Sequence, residues 1–292
     1  MMTKSSKAPS WNLAFTKLHG NGNDFILIDE YEGELILGAL KSEFAMLACH
    51  RNFGIGGDGV IYLSKSDRAD VKMRLFQPDG SEAEMCGNGI RCLAKYAHEA
   101  GYVESLFQVE TLAGIMPTKV RTIGEDFWAQ VDMGVPRFSR VDIPAKGEGE
   151  LLRDLVEGLE VSAVNTGVPH AVIFVEELER LAIGDIAPIV RHSSVFLEGA
   201  NVNFVKLEDK LQVRTFERGI EGETLSCGTG SVASAAVARR LGMVEDEVFV
   251  ETRGGPLVIS FEGDRAYMDG PAITVYRGEL SEELQWDLSA GL

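Results

Sequence analysis

The chain holds 292 residues, 45 acidic against 28 basic, for a formal charge of −17. That balance opposes the counterion release on which nucleic-acid binding depends, and no apolar run approaches the ~20 residues needed to cross a bilayer, so neither a nucleic-acid partner nor a membrane span is expected. With 45% hydrophobic residues and four cysteines that show neither CxxC nor zinc spacing, the composition is that of a globular two-domain protein whose cysteines serve as thiols or as packing.

Residues 1–10 (MMTKSSKAPS) lack the apolar stretch of a secretory signal and read as the flexible tail of a cytoplasmic protein. Phe25–Ile28 reads as a strand and Ser42–Arg51 as a surface helix that Ser42 can cap. Val60–Leu63 and the alternating Val71–Phe76 are further strands. A Cys-Gly-x-Gly loop then opens a helix over Ile90–Ala100, ended by Gly101, and Val109-Glu-Thr restarts β structure. Gly134 and Pro136 interrupt the pattern and set a boundary near Gln130–Pro136. A second surface helix is expected around Glu150–Gly158, followed by strands at Ala171–Val175, Val202–Val205 and Leu211–Phe216. A second Cys-Gly-x-Gly loop opens a helix over Ser231–Leu241, ended by Gly242, with a strand at Ile259–Phe261 beyond it. This second helix is small and apolar on nearly every face, the pattern of a buried helix.

The two Cys-Gly-x-Gly segments are copies. Shifted by 141 residues, Cys86–Gly114 aligns with Cys227–Gly255 and 12 of 29 positions are identical, against about two expected by chance. The expected architecture is α+β: two similar domains related by a pseudo-two-fold axis, each a curled mixed sheet or barrel around a central helix. Residues 11–130 with 273–292 form one unit, and 131–272 the other.

A thiol at a helix N-terminus sits among unpaired N–H groups and the positive end of the dipole, which favour thiolate. That effect, ~2 kcal/mol at most, would move a thiol from about 8.5 toward 7, a range suited to a base. The same groups can hold a carboxylate. A pseudo-two-fold axis would set Cys86 and Cys227 on opposite sides of one cleft, an arrangement for proton transfer at a single carbon.

These residues resemble the diaminopimelate epimerase family, pyridoxal-independent amino-acid epimerases of lysine and cell-wall precursor synthesis. The likeness runs from about Phe15 to Tyr276 through HGNGNDF (His19–Phe25), GIGGDG (Gly54–Gly59), DGSEAEMCGNGIRC (Asp79–Cys92), GVPH (Gly167–His170), Asn201-Val202 and ERGIEGETLSCGTG (Glu217–Gly230). It implies interconversion of LL- and meso-diaminopimelate without a cofactor, one cysteine removing the α-proton as thiolate and the other delivering a proton as thiol. The substrate α-carboxylate is expected on the N–H groups of Gly87-Asn88 and Gly228-Thr229. His170 and Glu217 occupy the family's positions for tuning the charge on the thiols. Arg218 is the expected partner of the distal carboxylate, Glu217 of the ammonium, and Asn23, Gln77 and Asn201 are further binding positions. A homodimer with no metal is also implied.

Three positions depart from the family pattern: Gln77 replaces an asparagine, Val168 replaces the asparagine of GNPH, and Gly59 stands where some members carry a glutamine. The segment from Glu217 to Cys227 is also one residue longer than in some members. These changes bear on recognition of the distal end of the substrate, since Val168 can make no side-chain hydrogen bond. The remaining candidates read as structural: Cys49 and Cys92 as core thiols, His19 as a loop-ordering residue, Asp58 and Asp79 as turn-forming and capping residues rather than general bases, and the glycines at 20, 22, 54, 56 and 57 as turns and close backbone approaches without nucleotide-loop spacing. Two other functions compete: a cofactor-independent racemase for another amino acid such as proline, hydroxyproline or histidine, and a non-catalytic amino-acid-binding module. A thiol redox protein is disfavoured by the absence of CxxC.

Overall fold

The computed structural model describes residues 13–281, so the expected N-terminal tail lies outside the described residues. The first half runs β1 (Ala14–Gly20), β2 (Asn23–Asp29), α1 (Lys41–Cys49), β3 (Gly59–Ser64), β4 (Val71–Phe76), β5 (Glu82–Ala83), α2 (Gly87–Glu99), β6 (Leu106–Thr111), β7 (Gly114–Ile123) and β8 (Asp126–Gly134). The second runs β9 (Asp154–Val156), β10 (Leu159–Asn165), β11 (Pro169–Phe174), α3 (Ile183–Arg191), β12 (Asn201–Leu207), β13 (Leu211–Glu217), β14 (Gly222–Thr224), α4 (Gly228–Arg240), β15 (Glu247–Thr252), β16 (Gly255–Glu262) and β17 (Arg265–Pro271). A last strand, β18 (Ile273–Glu279), returns to pair with β1.

The pairing repeats step for step. From β1 the order is β1–β2–β3–β4–β6–β7–β8, with β2–β3 and β4–β6 parallel and the other pairs antiparallel. From β10 it is β10–β11–β12–β13–β15–β16–β17, with β11–β12 and β13–β15 parallel. The two series meet where β8 pairs antiparallel with β17, at the pseudo-two-fold axis. Each series curls around one helix: α2 touches β1, β2, β3, β4, β7 and β8, and α4 touches β10, β11, β12, β13, β15, β16 and β17.

Strands covered on both faces read as continuous apolar runs with a hidden period of two. In β2, Phe25 and Leu27 face α2 in the inner core, while Ile26 and Ile28 face the outer layer under Phe44, Ala45 and Ala48 of α1. In the second half Val172 faces inward, while Ala171 and Ile173 lie under Ile183, Ala187 and Val190 of α3. Nine consecutive residues of α4, Gly230 to Ala238, are buried, as its all-round apolar character requires.

Four local expectations are corrected. The segment 150–158 is not helical: it holds the short β9, and Arg153 (φ +54°), Glu157 (φ +51°) and Gly158 (φ +84°) adopt left-handed backbone that no helix accommodates. Ser42 does not cap α1, because the helix begins at Lys41 and the Ser42 hydroxyl donates to the Gly80 carbonyl at 2.7 Å. Helix α3 went unread although Ile183, Ala187 and Val190 carry a helical spacing, because Pro188 stands inside it. Both central helices begin three residues earlier than expected, at Gly87 and Gly228, which makes Cys86 and Cys227 their N-cap residues.

Candidate active site

Cys86 and Cys227 hold extended backbone (φ/ψ −145°/116° and −115°/113°), and their carbonyls accept the first helical bonds, from Ile90 N–H at 2.8 Å and Ser231 N–H at 2.9 Å. Each chain therefore turns sharply at the thiol and aims the free N–H groups of the next residues at the same space. The two helix starts converge, since the Met268 side chain of β17 stands against both Gly87 and Gly228, and the Asn88 Oδ1 lies beside Gly228. Charges act across the two halves as well: Glu217 of the second half raises Cys86, and Asp58 of the first half raises Glu217, each as a small effect beside burial.

On the first side, Asn23 Oδ1 lies 3.7 Å from Cys86 Sγ and accepts from Asn88 Nδ2 at 3.2 Å. Asn23 Nδ2 in turn donates to Asp58 at 2.8 Å, and Asp58 is paired with Arg51 at 2.7 Å. Asp58 Oδ2 also accepts from the Asp24 N–H at 3.2 Å, so this carboxylate caps backbone as expected and in addition orients the Asn23 amide. His19 does order its loop, accepting from Gly22 N–H at 3.3 Å, and Asp79 does shape a turn through Ser81.

On the second side, Cys227 Sγ sits 3.4 Å from Thr229 Oγ1. The nearby Glu217 carboxylate accepts from Thr224 Oγ1 at 2.5 Å. Asn201 Oδ1 accepts from the Arg218 N–H at 2.7 Å, and Arg218 Nη1 reaches the Glu198 carbonyl at 3.1 Å. No carboxylate pairs with the Arg218 guanidinium among the described residues. His170 is fully buried, its Nδ1 3.0 Å from Asn203 Nδ2. The Thr166 hydroxyl donates to the Thr229 carbonyl at 3.0 Å and ties the turn carrying Val168 to the first turn of α4.

Among the described residues four buried side-chain polar atoms lack a hydrogen-bond partner: Asp269 Oδ1, Thr274 Oγ1 and two that flank the thiols, Asn88 Oδ1, two residues after Cys86, and Ser226 Oγ, one residue before Cys227. Buried polar atoms are almost always satisfied, so the two beside the thiols are free to meet a polar ligand.

Burial, not the helix dipole, dominates both thiols. It pushes the Cys86 thiol up, with the backbone N–H groups of Gly89 and Asn88 and the Arg91 charge pulling part of the way back. Cys227 rises well above the ordinary thiol range because burial is reinforced by the adjacent Glu217, against the opposing bonds from Thr229 and Gly230. The expected shift toward 7 is therefore reversed. Burial likewise raises the Glu217 carboxyl, and it drives His170 down to about 3, so the imidazole is neutral. Cys49 and Cys92 are buried thiols, each pushed up to about 12 by burial, and are packing as expected.

Gln77 is exposed at the end of β4 and shows only backbone bonds, to Ser81 and Gly80. Gly59 is a packing position: a β-carbon there would fall 2.9 Å from Leu75 Cδ1 and 3.0 Å from the Phe76 carbonyl, so a larger side chain would have to displace both. Sequence reading missed Asn203, Thr215, Asp58, Arg91 and Met268. The strand registers would have flagged the first two. Phe25 pairs with Gly59 as His170 pairs with Asn201, and Val60 pairs with Phe76 as Val202 pairs with Phe216. The inward positions Phe25, Gly59, Ile61 and Leu75 thus correspond to His170, Asn201, Asn203 and Thr215, while the exposed Gln77 corresponds to Glu217. At the four inward positions one half carries apolar packing where the other carries polar chemistry.

The diaminopimelate epimerase family profile matches residues 15–139 and 162–275. A diaminopimelate epimerase of Methanothrix thermoacetophila is 66% identical over 272 residues, covering 93% of this chain and 97% of its own. One of Archaeoglobus fulgidus is 50% identical over 283 residues, covering 94% and 99%. Among solved structures, a phenazine biosynthesis protein of the PhzF family from Bacillus anthracis superposes with a TM-score of 0.69 at 18% identity, over 93% of this chain and 99% of that one. A hydroxyproline epimerase from Agrobacterium vitis gives 0.61 at 17% identity, over 92% and 90%. These two share the fold: a curled α+β sheet wrapped around central helices, in duplicate. With the sequence matches spanning both halves and both cysteine loops, the chain belongs to the diaminopimelate epimerase family.

Proposed function

We propose that this chain interconverts LL- and meso-diaminopimelate, a step of lysine biosynthesis, by passing the α-proton between Cys86 and Cys227. The observation that carries the reading is the convergence of two thiol-capped helix starts on one cleft, flanked by unsatisfied polar atoms. The α-carboxylate lies on the N–H groups of Gly87-Asn88 and Gly228-Thr229, where the negative charge that grows in the transition state is also stabilised. One thiolate removes the α-proton from one face, and the opposite thiol delivers a proton to the other. Because both thiols are raised by burial, the substrate ammonium is the group that favours thiolate when it enters. Asn23 orients Cys86, Glu217 and His170 govern the charge at Cys227, and Asn201 holds Arg218 toward the distal carboxylate. Gln77 reaches the distal end from the rim. In this reading the protein is a cytoplasmic homodimer that uses no cofactor, and its two lobes are 11–130 with 273–292, and 131–272.

Arg218 favours diaminopimelate over proline-like substrates, which have no distal carboxylate to meet it. Solvent deuterium uptake at the α-carbon tests the reading. LL- and meso-diaminopimelate are expected to exchange, while proline, lysine and histidine do not. Exchange with proline alone would make the protein a racemase of another amino acid, and no exchange with any would leave a binding module. Cys86→Ala and Cys227→Ala should each lower epimerisation by at least ~100-fold with the fold intact. Near-normal turnover by either variant would end the two-thiol scheme.

A further inference from the structure

Donor and acceptor accounting around His170 has a single solution. Asn203 Nδ2 lies 3.1 Å from the Ala171 carbonyl, which can only accept, so that atom must be the amide nitrogen. Asn203 Oδ1 accepts from the Thr215 hydroxyl at 2.9 Å. The second N–H of the same amide meets His170 Nδ1 at 3.0 Å, so Nδ1 must be the bare, accepting nitrogen. The ring proton is therefore on Nε2. Asn201 is fixed by the same reasoning, since its Oδ1 accepts from the Arg218 backbone N–H at 2.7 Å and its Nδ2 donates to the Pro169 carbonyl at 3.3 Å. The 3.5 Å separation between Asn201 Nδ2 and His170 Nε2 then brings two donors together and is not a hydrogen bond. The Nε2–H of a fully buried imidazole is left without an acceptor among the described residues.

We propose that Asn203 is a positioning residue that locks His170 as the neutral Nε2–H tautomer, so that His170 offers one N–H to an anionic oxygen of the bound amino acid and no basic lone pair to the thiols. Burial and the nearby Arg218 charge keep the imidazole neutral, and they outweigh the opposing contribution of the Asn203 contact. The lock sits against the catalytic helix: a β-carbon on Gly230 would fall 2.4 Å from Asn203 Oδ1 and 3.1 Å from Thr215 Oγ1. It belongs to one half only, since the corresponding positions in the other half are Ile61, Leu75 and Phe25, all in the apolar core. A histidine with a free Nε2 lone pair would compete with the thiols for the proton in transit. This one cannot.

The inference rests on the two-thiol reading of the site; deuterium uptake by the unaltered protein tests that reading, and the ring-nitrogen spectrum tests this one. In the full-length protein labelled with 15N-histidine, the His170 resonances, assigned by their loss in His170→Gln, should show at neutral pH a proton on Nε2 and none on Nδ1. A proton on Nδ1 overturns the proposal without any other variant. Asn203→Asp, of equal size, places an acceptor opposite Nδ1; the proton should move to Nδ1 and kcat fall at least ~100-fold with KM within ~3-fold. Thr215→Val leaves the Ala171 carbonyl to orient the amide, so the tautomer should persist and kcat stay within ~10-fold of the unaltered value. Loss of activity in either variant with the Nε2–H tautomer unchanged would make Asn203 merely structural and overturn the proposal. So would unchanged kcat in Asn203→Asp once its tautomer has switched.

Discussion

Gly87 and Gly228 rest on the same methyl group: a β-carbon on the first would lie 2.6 Å from Met268 Cε, and on the second 3.2 Å. Two helices from two halves are thus spaced by a single side chain at the axis. Gly87→Ala should lower epimerase activity by at least ~10-fold, and Gly228→Ala by less, because the nearer contact forces the larger displacement. Adding Met268→Ala to Gly87→Ala should recover kcat while costing about 2–5 kcal/mol of stability, read by urea unfolding. Equal losses in both glycine variants would show that Met268 is not the spacer.

The thiols should answer to different charges. Arg91 is fully buried on α2 and, among the described residues, has no carboxylate on its guanidinium, which instead donates to Asn21 Oδ1 at 2.6 Å and the Pro271 carbonyl at 3.3 Å. Its charge lowers Cys86, whereas Glu217 raises both cysteines and bears hardest on Cys227. Alkylation by iodoacetamide, followed by mass spectrometry across pH, should show Arg91→Met moving the Cys86 profile to higher pH and leaving Cys227 in place. Glu217→Gln should move Cys227 to lower pH. An unmoved Cys227 in that variant would remove Glu217 from the thiol.

Arg218 should act on the far end of the substrate. Among the described residues its guanidinium has no ion pair to break, so Arg218→Met is expected to raise KM for diaminopimelate by ~10–100-fold, with a smaller effect on kcat and little on stability. Steady-state kinetics and a thermal melt on the same sample separate these. A large stability loss with unchanged KM would assign the residue to structure.

Acid should weaken the fold through His170. Its folded value of about 3 lies below the ordinary ~6.5, so the unfolded chain takes up a proton first as pH falls. The contribution is whole above ~6.5 and declines toward 3, by up to about 1.4 kcal/mol per pH unit. Between pH 7.5 and 5 the unaltered protein should lose roughly 2 kcal/mol more than His170→Gln in urea unfolding. Identical losses would mean that the imidazole is protonated in the folded state.

The sequence carried the repeat, the buried α4 and the two thiols because each is local: a helix apolar all round, or a Cys-Gly-x-Gly ahead of a glycine-terminated helix. It did not carry the direction of the thiol shifts, since the dipole is legible from a motif and desolvation is not. Asn203 and Thr215 sit in strands whose two faces are both covered, so their polarity looks like scatter until the register pairs them with His170. Arg91 reads as an ordinary helix arginine, and only the close approach of Gly20 and Gly270 to its guanidinium reveals the slot that takes it. Segment 150–158 misled for the opposite reason, a helical composition interrupted by left-handed residues.

Strand β18 starts two residues after β17 ends and pairs with β1 from Ala14 to His19. The strand that closes the first sheet is therefore the last described strand to leave the ribosome. Until then β1 offers an open row of backbone donors and acceptors, a template for another nascent chain. Among the described strands the half made first is finished last, and its window for misassembly spans the synthesis of everything between β1 and β18.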